Sequence, residues 1–472
     1  MNNKTKIICT IGPASTNEEV LTQMCLAGMN VARLNFSHGT HEQHKVAMDL
    51  IKKVRSKLDL PVAIMLDTKG PEYRIKTFEN HKVIVEDGNL FTFTTDEVEG
   101  DATRVAVNYP NLPYELAIGD TILVNNGLVK FEVREISGNN IICQVINGGE
   151  LSDRKSMNFP NKLLQGDFLS DQDKEDLLFG IVNDIDFVAA SFVSNKSDMC
   201  EIRDFLDDNG GEEIDIIAKI ENRAGVDNID EICDIADGIM VARGDLGVEI
   251  PFMEVPSVQK YLIRKCRMLG KRVITATEML ESMIHNPRAT RAEISDVANA
   301  VYDGSSALML SGETAAGKFP VEAVQTMADV AYFTEQNIDY AQRFRAQDFK
   351  IHNTQDAVSH ATSAMAVDVD AKCIVVCTMS GLTARMVSRF RCPVPILGLT
   401  TSEKAYRKLN LSWGVQPLLS EEFTSVEVLF YHALKEAQRV FELEEGDQVV
   451  LTGGLINGSS GNTNTIKVET VR

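Results

Sequence analysis

Residues 6–67 read KIICTIGPASTNEEVLTQMCLAGMNVARLNFSHGTHEQHKVAMDLIKKVRSKLDLPVAIMLD, and they repeat one pattern. The runs 6–11, 30–36 and 62–67 are short and apolar. Between them, 18–26 and 42–57 place apolar residues at helical spacing with charges on the opposite face. Strands alternating with helices signal a parallel sheet, because a parallel strand needs a crossover helix to return. Working outward, strand-like runs recur at 187–192, 216–221, 238–243, 272–277 and 307–311, with further helical segments at 255–269 and 321–336. Eight strands alternating with helices predict an α/β fold of the (β/α)8 TIM-barrel type rather than a doubly wound open sheet.

One connection breaks the rhythm. Residues 69–167 carry short alternating runs at 82–85, 90–94, 121–124, 128–132 and 141–145. Asp87-Gly88, Asn126-Gly127, Gly138-Asn139 and Gly148-Gly149 read as hairpin turns between them. The expectation is an all-β, barrel-like lid domain inserted at the end of the third strand, on the face where barrels carry catalysis. Polar residues at 339–353 mark a second boundary. Strand signals at 373–378, 396–400, 416–419, 448–452 and 465–469 then predict a C-terminal α/β domain. The expected domains are 1–68 with 168–340 (barrel, A), 69–167 (lid, B) and 341–472 (regulatory, C).

A formal net charge of −21 over 472 residues argues against nucleic acid and anionic membranes as partners. Such a chain binds anions only by concentrating cations, local Lys or Arg and backbone amides at one place. Nine cysteines, an odd number scattered along the chain, point to free thiols in a reducing compartment. There is no signal peptide pattern and no apolar run near the length of a membrane span. A cytoplasmic location is expected.

The unusual polar residues gather at C-terminal strand ends. Arg33, Asn35 and Ser37 share one strand face. The next strand delivers Asp67 and Thr68, a later one Lys219 and Glu221, and another Arg243-Gly244-Asp245. Thr277-Glu278 and Ser311 complete the set. Burying such groups without partners costs several kcal/mol each, so they predict a polar pocket at the barrel mouth. Glu221 and Asp245 are hard oxygen ligands that suit Mg2+ better than zinc. His38, His41 and His44 lie at a helix start and read as surface residues, with His38 nearest the pocket. Lys219 can stabilise negative charge developing on an enolate or a phosphoryl group. Asn35, Ser37, Asp67 and Thr68 offer only oxygens, which suits a larger, less charged cation. Arg33 and Arg74 are available for phosphate oxygens. Residue types alone leave phosphoryl transfer and enolate chemistry both open.

The motifs 9–15 (CTIGPAS), 30–39 (NVARLNFSHG), 66–72 (LDTKGPE), 218–222 (AKIEN), 240–247 (MVARGDLG) and 309–314 (MLSGET) closely resemble those of pyruvate kinases, in order along nearly the whole chain. The resemblance implies transfer of a phosphoryl group from phosphoenolpyruvate to ADP, giving pyruvate and ATP. It implies Mg2+ (or Mn2+) on Glu221 and Asp245, and K+ on Asn35, Ser37, Asp67 and Thr68. Glu72 matches the acidic form of its position, which in the family goes with K+ dependence. Lys219 is then the transition-state stabiliser and Arg33 a phosphoryl contact. His38 and Arg74 face the nucleotide, and Thr277 with the Gly244 backbone positions substrate. A water linked to Thr277 and Ser311 would relay the proton to the enolate. A homotetramer is likewise implied.

There are departures. Glu278 stands where the family often has Gln, Ser194-Asn195 where a basic pair is frequent, and Gln172 where a nucleotide-contacting lysine is usual, with Lys174 two residues on. Thr378, Ser380, Gly381 and Thr383 match the family's loop for an effector phosphate at a helix N-terminus. The later loop at 453–461 carries no positive charge, which favours a monophosphate effector (AMP or a sugar monophosphate) over fructose 1,6-bisphosphate. The other readings are a Mg2+-dependent lyase of phosphoenolpyruvate or 2-keto acids, and a non-enzymatic sugar-phosphate-binding protein.

Overall fold

In the computed structural model, residues 3–472 are described except Glu72, Asn161, Leu163, Gln165 and 455–462. Eight parallel strands close a barrel: β1 (Lys6–Thr10), β2 (Val31–Asn35), β3 (Ala63–Asp67), β4 (Phe187–Ala190), β5 (Asp215–Ile220), β6 (Gly238–Ala242), β7 (Arg272–Ala276) and β8 (Ala307–Leu310). Each pairs with its neighbour in chain order, and β8 closes on β1 with Lys6 opposite Ala307. The open-sheet alternative is excluded. All eight predicted strands are present, each ending at or up to two residues before its predicted end.

The strands are near-continuous apolar runs because both faces are buried. Ile8, Val31, Met65, Phe187, Ile217, Met240 and Ile274 belong to one cluster within the barrel. Alternate residues such as Ile7, Ile64, Val188 and Val241 pack under the helices instead. The helix His41–Leu58 shows the local logic. Thr40 and Gln43 form a capping box at its start, and Ala47, Met48, Ile51 and Val54 are its buried face. Asp59 ends it in the left-handed region at φ 52°.

The segment between β3 and β4 is sheet-rich, as expected. It has a six-stranded sheet, and a separate pair formed by Lys82–Val85 and Gly149–Ser152. Asn126-Gly127 and Gly138-Asn139 are hairpin turns, linking Thr121–Val124 to Val129–Ser137 and that strand to Asn140–Asn147. Asp87-Gly88 and Gly148-Gly149 are not. At both, the chain crosses from one sheet to the other, and Gly149 pairs with Val85. The glycine at 148 is required by that close crossing: a Cβ there would lie 2.4 Å from the Val85 carbonyl oxygen.

The C-terminal part is a five-stranded sheet of β9 (Cys373–Cys377), β10 (Ile396–Thr400), β11 (Val415–Leu419), β12 (Gln448–Gly454) and β13 (Thr463–Thr470). Its order is β11-β10-β9-β12-β13, parallel except for β13. It meets the N-terminal end of the barrel through ion pairs. Arg407 reaches Asp186 at 2.7 Å, and Arg272 and Lys408 converge on Asp215 at 2.6 and 2.8 Å. All nine cysteines are free thiols, though the Sγ atoms of Cys233 and Cys266 are 3.6 Å apart. No helix among the described residues is long and apolar enough to cross a membrane.

Candidate active site

The C-terminal ends of β2, β3, β4 and β5 carry a buried charge network. Asp67 is at its centre. Its Oδ2 accepts from Arg33 Nε at 2.6 Å and its Oδ1 from Lys219 Nζ at 3.0 Å. Lys219 also lies 3.0 Å from Glu221 Oε1 and 2.7 Å from Ser191 Oγ. Glu221 Oε2 accepts from the Phe192 backbone N–H at 2.7 Å, and Arg33 Nη1 donates to Thr10 Oγ1 at 2.9 Å. Arg33, Asp67, Thr68, Lys219 and Glu221 are all at most 9% exposed.

The electrostatics follow from that packing. Burial would strip Lys219 of its proton, but Asp67 and Glu221 outweigh it and hold the ammonium well above its ordinary value. Burial would raise Asp67, but Arg33 and Lys219 win and its carboxyl lies below the usual range. Glu221 goes the other way: burial raises it, Lys219 opposes this, and the like charge of Asp245 adds to the rise.

Asp245 is not on a strand end but in the first turn of the helix Arg243–Glu249, exposed to the cleft. Beside it, Gly244 N–H donates to Thr277 Oγ1 at 2.8 Å, and that hydroxyl donates to the Ala276 carbonyl at 2.6 Å. Thr277 and Glu278 both hold positive φ, 68° and 55°. Arg243 secures this strained turn, with Nη2 2.6 Å from the Thr277 carbonyl and Nη1 2.7 Å from Asp296. A cleft of about 1090 Å³ opens between barrel and lid, lined by Arg74, Ser156 and Phe159 on one side and Phe192, Gly244 and Asp245 on the other. Glu278 faces it too.

Asn35 and Asp67 are register partners on β2 and β3, with Thr68 next in the chain. Ser37 lies past the strand in a turn, its N–H 3.2 Å from Asn35 Oδ1. His38 is exposed, and its carbonyl contacts the His44 ring at 2.9 Å. His41 pairs with Asp176 at 2.6 Å, away from the cleft. Gln172 also bonds Asp176, at 2.9 Å, and neither it nor Lys174 lines the cleft. Ser311 begins a short helix, and its N–H donates to Glu313; no described hydrogen bond joins it to Thr277. Glu72 lies outside the described residues. In the C-terminal part, Gly381 N–H donates to Thr378 Oγ1 at 3.1 Å, and Thr383 and Thr463 share a hydroxyl contact at 2.5 Å. The later loop from Leu455 to Gly461 lies outside the described residues. Sequence reading missed Ser191 and noted Arg243 only within the Arg243-Gly244-Asp245 run, without its role. Both stand at C-terminal strand ends, which was the available signal.

The donor set suits cations. Glu221 and Asp245 are two hard carboxylates beside an open cleft; burial and then the like charge of Asp245 push the Glu221 carboxyl up, and a divalent ion would relieve that. One or two carboxylates plus substrate oxygens and water are a usual Mg2+ set. Asn35, Ser37, Asp67 and Thr68 supply oxygens only, with one charge already neutralised by Arg33 and Lys219.

Comparison with known proteins sets the class: this is a phosphotransferase on a barrel. The family pattern described as the pyruvate kinase barrel domain matches residues 2–324, and that of the pyruvate kinase alpha/beta domain matches 356–469. A pyruvate kinase of Clostridium acetobutylicum is 47% identical over 471 residues, covering 99% of each chain. One from Sporosarcina psychrophila is 46% identical, over 99% of this chain and 80% of that one. The crystal structure of a pyruvate kinase from Cryptosporidium parvum superposes with a TM-score of 0.95 at 39% identity, covering 100% of this chain and 96% of that one. The chain belongs to the pyruvate kinase family.

Proposed function

We propose that the chain transfers the phosphoryl group of phosphoenolpyruvate to ADP, giving pyruvate and ATP, with Mg2+ (or Mn2+) and K+ as cofactors. The observation that carries this is the Lys219 ammonium, buried at the barrel mouth and held charged by Asp67 and Glu221. Glu221 and Asp245 would hold the divalent ion, and Asn35, Ser37, Asp67 and Thr68 the K+. When bound, these ions neutralise phosphate and carboxylate charge.

The residues of the chain do the rest. Lys219 stands in a low-dielectric site with its charge fixed, so it stabilises negative charge on the transferring group without reorganising. Asp67 sets the orientation of both Lys219 and Arg33, and Arg33 offers its remaining N–H groups to phosphoryl oxygens. The Thr277–Gly244 hydrogen bond shapes the substrate floor. To pass a proton to the enolate carbon, Thr277 must release the Ala276 carbonyl and take up water, with Ser311 as its partner. His38 and Arg74 would contact the nucleotide, and the lid would exclude water. We take the domains at 1–68 with 168–340, 69–167 and 341–472. A monophosphate effector would bind Thr378, Ser380, Gly381 and Thr383, in a cytoplasmic homotetramer.

The test is pyruvate formation from phosphoenolpyruvate with and without ADP, Mg2+ and K+. Turnover needing all three is expected. ADP-independent turnover would favour a lyase, and none under any condition a binding protein. Activation by fructose 1,6-bisphosphate with none by AMP or sugar monophosphates would overturn the effector reading.

A further inference from the structure

The lid rests on the barrel at the end of the helix Arg243–Glu249, whose first turn carries Asp245. Two contacts meet there. The hairpin turn at Asn126-Gly127 lies over Val248: a Cβ on Gly127 would sit 3.4 Å from the Val248 Cγ1. One residue on, Glu249 Oε1 accepts from the Asn158 side-chain amide at 2.9 Å, and the Phe159 backbone N–H also helps to hold its charge. Asn158 belongs to the short lid strand Met157–Asn158, which pairs with Thr121–Val124. The residue before that strand, Ser156, is the bridge partner of Arg74 on the same wall of the cleft. Three consecutive lid residues thus run from the partner of Arg74 to the partner of Glu249.

Glu249 is an unusual residue for such a place. It is 8% exposed, and among the described residues no Lys, Arg or His forms an ion pair with it. Burial pushes its carboxyl up, the Asn158 and Phe159 amides pull it down, and the like charge of Asp245 adds to the rise. A buried carboxylate without a cation is costly unless it is hydrogen-bonded. Here both side-chain donors come from the lid, so the barrel keeps Glu249 in this position only while the lid is seated. An apolar contact would close the junction without that dependence. Asp245 and Glu249 are four residues apart, one helical turn, and so share a face of a seven-residue helix. A helix this short moves as one piece, and a shift at Glu249 is felt at Asp245.

We propose that Glu249 is a positioning residue that ties the lid to the helix of Asp245, so that seating the lid and placing Asp245 for the divalent ion are one event. This rests on the function proposed above for Asp245 and for the nucleotide face of the lid. Glu249 acts through Asp245 and not on the reacting atoms. A nucleotide that holds the lid wall at Arg74 and Ser156 favours the arrangement of Asp245 that accepts the ion. By linkage, the ion favours the seated lid to the same degree.

The test compares wild type with Asn158→Asp and with the double variant Asn158→Asp/Glu249→Gln, at about pH 8.5 to keep facing carboxylates ionised. Mn2+ binding is followed by electron paramagnetic resonance without substrate, lid seating by hydrogen exchange, and kcat and KM for ADP by steady-state turnover. Asn158→Asp sets a second carboxylate against Glu249. Added negative charge by itself would tighten Mn2+ binding. Loss of the tie should instead weaken it about tenfold, the scale of one charge-assisted hydrogen bond. Exchange across 157–158 and 243–249 should rise, and KM for ADP should rise more than kcat falls. In the double variant donor and acceptor trade places, because the amide at 249 donates to the carboxylate at 158. All three readouts should then return to within about twofold of wild type. The unfolding transition reported by Trp413 should stay in place throughout, which separates a lost tie from a lost fold. Should Asn158→Asp not fold, Asn158→Ala removes the donor without adding charge and carries the same prediction. Mn2+ binding at or above wild-type strength in the single variant, or a double variant no better than the single one, would overturn the proposal. The expected Mn2+ and exchange results in a protein that makes no pyruvate would leave the tie standing and overturn the proposed activity instead.

Discussion

Lys219 Nζ lies 3.0 Å from Asp67 Oδ1 although β5 and β3 are not neighbours. The strand between them, β4, leads into Ser191, whose hydroxyl is 2.7 Å from the same ammonium. Three strand ends thus fix one charge. Lys219→Met should therefore keep the fold and substrate binding yet lower kcat by about 10³, the scale of one preorganised donor to transition-state charge. Steady-state kinetics paired with calorimetric binding of phosphoenolpyruvate check this. A variant that keeps its rate would remove Lys219 from the mechanism.

Thr277 is a β-branched residue at φ 68°, a conformation that costs about 1–3 kcal/mol. Its hydroxyl is what the Gly244 N–H binds. Thr277→Gly relieves the strain and deletes the hydroxyl. Stability should change by no more than about 1 kcal/mol, since relief and lost hydrogen bond nearly cancel. The value of kcat/KM should fall by about 10². Urea unfolding and kinetics on the same preparation separate the two effects. A stability loss matching the activity loss would make Thr277 a purely structural residue.

How far the sequence reveals this depends on how local each signal is. The eight barrel strands were legible because each is buried on both faces and carries its own apolar run. Arg33, Asp67, Lys219 and Glu221 were legible because charges at apolar strand ends stand out. Asp87-Gly88 resembled a hairpin turn because a dipeptide says that the chain bends, not which strands pair. Ser191 carries no charge and was passed over, although it touches Lys219. Arg243 was seen only within a motif, since its grip on the Thr277 carbonyl exists only once β6 and β7 lie side by side.

Asp215 ties the barrel to the C-terminal domain. Burial alone would raise its carboxyl, but Arg272 and Lys408 outweigh it and hold it far below the usual range. Burial also weakens the Arg272 guanidinium, so the net gain is smaller than the carboxyl alone suggests. A folded-state value below the unfolded one means the stabilisation is present above about pH 4 and is lost as pH falls. The single tryptophan, Trp413, is 2% exposed near the same junction and reports on it. Asp215→Asn should lower the urea midpoint followed by Trp413 fluorescence at pH 7. It should also flatten the fall in that midpoint between about pH 5 and pH 2. An unchanged acid profile would mean that other carboxylates govern the junction.

Gly148 is the tightest point in the lid. A Cβ would meet the Val85 carbonyl oxygen at 2.4 Å and the Asp87 backbone nitrogen at 3.1 Å. Neither neighbour is a flexible side-chain end, so the two sheets of the lid would have to part. Gly148→Ala should destabilise the lid by about 1–3 kcal/mol, the usual cost of forced overpacking. The barrel should be spared, and Trp413, packed against Tyr340 and bonded by Ser388 outside the lid, reports whether it is. Hydrogen exchange should then rise across 82–85 and 149–152 while the Trp413 unfolding transition stays in place. Since lid residues Arg74, Ser156 and Phe159 line one side of the cleft, KM for ADP should rise severalfold with a smaller change in kcat. A loss of kcat with KM unchanged would mean that the lid acts on the chemical step rather than on holding the nucleotide.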